Sequence, residues 1–253
     1  MTATTDRHFR YLYDILRDIA SDKKLSPLLQ FKGGTSLMFF HEIKRFSVDL
    51  DFTLVDKEQE RFVYERILTI ASKYGKIVDS NLGFFGPKVV LSYGSGFWNL
   101  KIEVSNRYWG EQSETLTYDS FSLNVMSLSD MYAHKLIALE ERTGIATRDI
   151  YDICFFEQRD VFPNEEIIMK RKGRTLLEQL AVDIKILEEF PNNRILSALA
   201  PLLEPDEIKW CRTHLLSETI SSLQRRASVE RVKLRFKKGI AITPPKGNRG
   251  LKR

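Results

Sequence analysis

Two carboxylates stand one residue apart, Asp49 and Asp51, and Asp49 comes thirteen positions after the Ser36 that ends a Gly33-Gly34-Thr35-Ser36 turn. From Val48 to Val55 apolar residues alternate with the rest, which is the period of a strand. Both aspartates therefore fall on one face, opposite Val48, Leu50 and Phe52. Carboxylates held side by side repel each other unless a cation lies between them. Magnesium takes hard oxygen ligands, commonly one or two carboxylates together with substrate phosphates. A glycine pair lets backbone amides approach a phosphate closely, and a helix starting there would aim its positive end at the same place. A metal-holding pair beside a phosphate-holding turn is the equipment of phosphoryl or nucleotidyl transfer. Either half alone is ordinary, because Asp-x-Asp is frequent on solvated strand edges and Gly-Gly in plain turns. Their combination at this spacing points to the chemistry.

The elements that must position these residues follow from periodicity. His8 to Ile19 carries Phe9, Leu12, Ile15, Leu16 and Ile19 at helical spacing, and Ser36 to Ile43 and Lys57 to Tyr74 read as further helices. Between Ile77 and Val125 the glycines Gly83, Gly86, Gly94 and Gly96 divide a run of strands. Lys88 to Tyr93 and Phe97 to Ser105 are the clearest pair, joined as a hairpin through Gly94 to Gly96. Past Ser127 this turn-rich pattern gives way to helices, the first starting at Ser129-Asp130, with breaks at Thr143 to Thr147, Pro163-Asn164 and Pro191 to Asn193. The expected layout is a mixed α/β core over residues 1–127, a helical lobe over 128–236 and a basic, disordered tail over 237–253.

Other side chains are candidates by position. Glu103 lies between Ile102 and Val104, so it would face away from the core as a base or third carboxylate; an exposed glutamate beside Lys101 is the plainer reading. Lys135 shares a helical face with Met131, Ala138 and Leu139, which would turn its ammonium toward a triphosphate, unless it merely snorkels. Arg148, Asp149 and Asp152 form a one-turn charged cluster. Asp149 would orient Lys135 or contact a nucleotide and Arg148 would reach a phosphate, or all three form an ion-pair network at a helix start. Thr35 and Ser36 would donate to a phosphate or metal-bound water, Ser47 would share the face of Asp49, and Arg45 would bind phosphate or neutralise the acids. Tyr93, Trp98, Tyr108 and Trp109 would stack on a base, although core packing is the commoner role for such residues.

The segments Lys32 to Leu37 and Arg45 to Phe52, followed by Lys135 within Tyr132 to Leu136 and the Arg148-Asp-Ile-Tyr-Asp152 run, resemble the AbiEii/AbiGii toxin family. That family belongs to the DNA polymerase β-like nucleotidyltransferase superfamily. The motifs span residues 32–153, and beyond them the resemblance is to a general helical lobe. It implies an α+β fold, a polymerase-β-like core with a mixed sheet followed by helices. It implies catalytic roles for Asp49, Asp51, Glu103, Lys135 and Asp149, with Asp49 and Asp51 holding Mg2+ or Mn2+. Gly33, Gly34, Thr35, Ser36, Arg45, Ser47, Lys135 and Arg148 would bind the nucleotide and its phosphates. The implied activity is transfer of a nucleotide from a nucleoside triphosphate to RNA such as a tRNA 3′ end, by the toxin half of a bacterial toxin–antitoxin or phage-defence pair with a cognate antitoxin. A transferase acting on a protein hydroxyl needs the same site, and a catalytically inactive protein of this fold would instead bind nucleic acid or an antitoxin.

Composition bounds these readings. The 253 residues are 43% hydrophobic and 29% charged, as in an ordinary globular protein. No apolar run nears the ~20 residues of a membrane span, and the first residues lack a signal-peptide layout. Two distant cysteines, Cys154 and Cys211, suggest neither a disulfide framework nor a zinc site, so a cytoplasmic location is expected. The net charge of +5 is uneven, since Arg231 to Arg253 holds nine Lys or Arg and no acid. That end would meet a polyanion, or would simply solvate the chain.

Overall fold

The computed structural model describes residues 3–142, 144 and 146–237. The expectation of a disordered tail therefore falls outside the described residues from position 238 onward. Helix α1 (Ala3–Ser21) buries Leu12, Ile15, Leu16 and Ile19 completely, as its spacing predicts. The chain then forms β1 (Leu29–Lys32), α2 (Gly33–Phe40), β2 (Leu50–Leu54) and α3 (Glu60–Ala71). Strands β3 (Lys76–Gly83), β4 (Gly86–Ser92), β5 (Leu100–Ser105), β6 (Ser113–Tyr118) and β7 (Phe121–Met126) follow. They assemble in the order β3-β4-β5-β2-β1-β7-β6. The sheet is mixed: β2 runs parallel to β5 and β1 parallel to β7, while the other neighbours are antiparallel.

Strand β5 shows why the sheet can carry a site. Leu100, Ile102 and Val104 are buried, so the alternating Lys101, Glu103 and Ser105 emerge together on the other face. Its pairing with β4, Lys88 opposite Glu103 and Leu91 opposite Leu100, realises the hairpin expected around Gly94 to Gly96.

The helical half comprises α4 (Leu128–Glu141), α5 (Thr147–Gln158), α6 (Glu165–Lys172), α7 (Leu176–Glu188), α8 (Pro205–Trp210) and α9 (Leu216–Lys237). The expected breaks at 143–147, 163–164 and 191–193 fall between α4 and α5, α5 and α6, and α7 and α8, whereas the break between α6 and α7 at Gly173 was not among those expected. One boundary differs from expectation. Helix α4 is capped by Ser127, whose side chain accepts from the Asp130 amide at 3.1 Å, and not by Ser129. Ser129 Oγ instead donates to the Phe162 carbonyl at 2.5 Å, tying the helix start to the loop before α6. Buried side chains of sheet and helices form one contiguous core, from Phe31 and Phe52 to Tyr132, Phe156 and Leu223. No helix among the described residues is long and apolar enough to cross a membrane.

Candidate active site

The parallel pairing of β2 with β5 sets Asp51 directly beside Glu103, and Asp49 lies two residues before Asp51. All three line a cleft of about 700 Å³ between the sheet and α4 and α5. Lys101, next on the same face of β5, donates to Glu103 at 2.7 Å and stands 3.9 Å from Asp49. Burial pushes the carboxyls of Asp49 and Asp51 above the ordinary aspartate range; Lys101 opposes that in both, while the neighbouring acids add to it. Glu103 moves the other way: burial is the largest single influence and would raise it, but the hydrogen bond and charge of Lys101, with the charges of Lys32 and Lys88, together outweigh it. Burial would lower Lys101 as well, but Asp51, Glu103 and Asp49 hold its ammonium charged. The cleft floor is thus a crowd of negative charge gathered around Lys101, with Lys32 across the ladder from Asp51.

The glycine pair opens α2, and its small size is a packing requirement. Gly33 has φ +79°, and a Cβ there would come within 2.8 Å of Asp51 Oδ2. A Cβ on Gly34 would lie 2.2 Å from Arg45 Nη2. The helix start is therefore pressed against a carboxylate on one side and a guanidinium on the other. The backbone around Asp49 is fastened by side chains. Thr35 Oγ1 donates to the Asp49 carbonyl, and His8 Nε2 lies 2.8 Å from the Val48 carbonyl. A carbonyl only accepts, so Nε2 carries the proton and Nδ1 accepts from the Tyr93 hydroxyl. Burial keeps this imidazole neutral. With those carbonyls engaged by side chains, the strand begins at Leu50 and not at the expected Val48.

Three residues expected to touch phosphate are committed elsewhere. Thr35 is fully buried, its hydroxyl on Asp49 and 2.8 Å from Ser47 Oγ. Ser36 is also fully buried, and its hydroxyl points to Met131 Sδ at 3.4 Å. Both follow from the helical turn that begins at Gly33, which turns these positions into the core. Arg45 borders the cleft, but its guanidinium is spent on Asp152 through Nε at 2.6 Å and Nη2 at 2.8 Å, while Nη1 donates to the Phe46 carbonyl. Ser47 does line the cleft, although it precedes the strand whose face it was expected to share.

The helical wall brings Lys135 from α4 and Arg148 and Asp149 from α5 to the same cleft. Lys135 Nζ lies 2.7 Å from both Asp149 and Asp152. Burial opposes its charge, but those two carboxylates hold the ammonium above the usual lysine value. Asp152 is held below the usual carboxylate range despite burial, by Arg45 first and then Lys135. Asp149 also receives Arg142 at 3.1 Å. The one-turn acidic cluster therefore anchors Arg45 and Lys135 from below.

The opposite wall is built around His134 of α4. His134 Nε2 donates to Glu111 at 2.9 Å while its Nδ1 accepts from Arg171, and burial keeps the ring neutral against the pull of Glu111. Trp109, Arg107 and Lys32 complete this side. Lys32 pairs across the ladder with Asp51, and its pKa is depressed by burial. Lys32, Arg107 and Arg148 form no ion pair among the described residues. Of the four aromatics weighed for stacking, Tyr93 and Trp98 pack around His8, and Trp109 is the one at the cleft.

Among the described residues no group of three or more His, Cys, Asp or Glu gathers so as to hold a metal ion unaided. Asp49 and Asp51 do offer adjacent hard oxygens whose mutual repulsion calls for a cation. That donor set fits magnesium with a nucleotide's phosphates completing its shell.

A family sequence model described as nucleotidyl transferase AbiEii toxin, type IV toxin–antitoxin system, matches residues 14–228. A search of curated proteins finds no match. Among solved structures, the chain is similar to a candidate nucleotidyltransferase from H. pylori (TM-score 0.56, 16% identity, covering 96% of this chain and 100% of that one). It is also similar to JHP933 from Helicobacter pylori (TM-score 0.54, 15% identity, 92% and 99%). A third likeness is to MenT4, the nucleotidyltransferase toxin Rv2826c from Mycobacterium tuberculosis H37Rv (TM-score 0.53, 17% identity, 94% of each chain). At such identities these likenesses speak for the fold, a nucleotidyltransferase core of α+β type, whereas the family match spans most of the sequence. The chain belongs to the AbiEii family of nucleotidyltransferase toxins and is a nucleotidyltransferase.

Proposed function

We propose that the protein is a magnesium-dependent toxin that moves a nucleotide from a nucleoside triphosphate onto an RNA 3′ hydroxyl, such as that of a tRNA, in the cytoplasm of a cell that carries the matching antitoxin. A phage-defence role fits the same chemistry. The observation that carries this reading is the cleft floor, where Asp49, Asp51 and Glu103 meet the glycine start of α2.

Asp49 and Asp51 would hold magnesium, or manganese in its place, which when bound neutralises charge on the triphosphate. The Gly33-Gly34 backbone receives the phosphates at the positive end of α2. Lys135, fixed by Asp149 and Asp152, presents its charge from the far wall, with Arg148 and Lys32 as cations free to pair with phosphate oxygens. The acceptor hydroxyl oxygen bonds to the α-phosphorus as the bridging bond to the β-phosphate breaks. Pyrophosphate leaves with that electron pair, and the hydroxyl proton passes to Glu103. Contact with Lys101 weakens Glu103 as a base, so proton transfer is favoured once Lys101 is drawn to phosphate. Catalysis of this kind is mainly positioning and electrostatics.

An RNA acceptor is supported by Arg107, a cleft-lining cation that the triphosphate does not use and that forms no ion pair among the described residues. The test is incubation of the purified protein with total cellular RNA, cell protein, magnesium and each α-labelled triphosphate in turn. Label removed by ribonuclease and resistant to protease is expected. Label with the reverse sensitivity assigns a protein acceptor and overturns the RNA reading.

A further inference from the structure

The tip of the β3–β4 hairpin exposes two adjacent aromatic rings. Phe84 is 89% exposed and Phe85 55% exposed. A phenylalanine left in water forgoes the stabilisation that burial of its ring would bring, so two side by side mark a surface that meets something. The tip is held in place: Asn106, just after β5, donates its amide to the Phe85 carbonyl at 3.0 Å and its side chain to the Phe84 carbonyl at 3.1 Å. Asn106 Nδ2 also donates to Glu60 at 2.6 Å, tying the tip to α3. The rings meet edge to face with centroids 5.0 Å apart.

Two observations decide what they meet. First, the tip is continuous with the active-site cleft, because Phe85 and Arg107 both line it. Strand β4 leads from Phe85 to Lys88, which pairs with Glu103, a distance of roughly 10 Å at strand rise. Second, the guanidinium of Arg107 lies 4.6 Å from the Phe85 ring centroid and forms no ion pair among the described residues. Exposed phenyl rings, with a guanidinium lying over one of them that makes no ion pair among the described residues, match a nucleobase with its phosphate.

We propose that Phe84, Phe85 and Arg107 form the acceptor subsite of this enzyme, where an unpaired base near the 3′ end of the RNA stacks on the phenyl rings while Arg107 holds the adjoining phosphate. This rests on the RNA-acceptor reading above. The subsite takes single-stranded ends irrespective of sequence, since every base has a stacking face. It sits on the sheet side of the cleft, leaving the α5 wall to the triphosphate.

The test uses a short fluorescein-labelled single-stranded RNA with a free 3′ hydroxyl, titrated with the full chain without nucleotide and followed by anisotropy. Phe85→Ala is expected to weaken binding about 5- to 150-fold, the range for loss of one base stack, and Phe84→Ala/Phe85→Ala further. Phe85→Trp should retain affinity, whereas Phe85→Leu, apolar but unable to stack, should lose it. In turnover, the acceptor KM should rise in the alanine variants while the triphosphate KM stays put. Native-like affinity in Phe84→Ala/Phe85→Ala, or equal affinity in Phe85→Leu and Phe85→Trp, overturns the subsite while leaving RNA as the acceptor. Failure of the native chain to bind the RNA, with label going to protein, removes the acceptor reading itself and the subsite with it.

Discussion

Replacing Asp152 by asparagine should cost the protein about 3–5 kcal/mol, the range for breaking a buried ion pair from one side. The figure comes from the position of the group. The Arg45 and Asp152 side chains are 2% and 0% exposed, joined through two hydrogen bonds of 2.6 and 2.8 Å, and Asp152 also takes Lys135 at 2.7 Å. Removing its charge strands a guanidinium that is almost wholly buried and halves the anchoring of Lys135. In a urea titration with a slope of roughly 3 kcal/mol/M, the midpoint should fall by about 1 M or more. Arg45→Met/Asp152→Leu, which removes both charges, should be less destabilised than Asp152→Leu alone, because the penalty lies in the orphaned partner. The pH dependence has a definite sign. Asp152 is depressed in the folded protein, by Arg45 first and then Lys135 against its burial. Its contribution is therefore fully present above the unfolded aspartate value of about 3.9 and is lost as pH falls through the lower folded value. The native chain should lose stability in that acid window more steeply than Asp152→Asn does. A midpoint shift below roughly 0.3 M, or identical acid profiles for the two, would refute the assignment of this cluster as the support beneath the site.

Gly33→Ala should leave the chain folded but lower kcat about 100-fold, since the new Cβ meets Asp51 Oδ2 at 2.8 Å and the φ of +79° is strained for alanine; steady-state kinetics with a thermal melt checks both. Gly34→Ala should instead lower stability by about 1–3 kcal/mol, because its Cβ lands 2.2 Å from Arg45 Nη2. Lys101→Met should lower the magnesium concentration for half-maximal activity severalfold, as a charge near 4 Å is worth on the order of 4 kcal/mol before solvent screening reduces it; a rise would mean that its attraction for phosphate outweighs its repulsion of the metal. Chelation with EDTA should abolish transfer reversibly, with magnesium or manganese restoring it and calorimetry showing no unfolding of the metal-free chain.

Much of the fold was legible because periodicity and burial agree. The stripe of α1 and the alternation of β5 are visible in apolar spacing, and each is realised. The pairing of Asp51 with Glu103 was not legible, since a parallel neighbour is fixed by the topology of the whole sheet and leaves no local trace. The site divides in the same way. Gly33, Gly34, Asp49 and Asp51 form a compact pattern, and the structure gathers them with Glu103, Lys135, Arg148 and Asp149 in one cleft. The direction of Thr35 and Ser36 was not legible, because proximity in sequence to a glycine turn does not say which way a helical residue points; both enter the core within the first turn of α2. Arg45 was ambiguous until Asp152, 107 positions away, occupied it. The wall of Trp109, Glu111, His134 and Arg171 carries no shared spacing and is assembled only by the packing of α4 and α6 against the loop between β5 and β6. Lys32 could have been suspected, standing directly before the glycines.

The central claim is that Asp49 and Asp51 serve chemistry and are not merely part of the fold. Its most direct test is incorporation of α-labelled nucleotide into RNA in the presence of magnesium by the native chain and by Asp51→Asn, an isosteric change that leaves packing against Gly33 in place. Labelling by the native protein is expected, with a loss of at least about 1,000-fold in the variant, about 4 kcal/mol of transition-state stabilisation, and an unchanged melting temperature. Labelling by Asp51→Asn within tenfold of native, with both proteins folded, would contradict it.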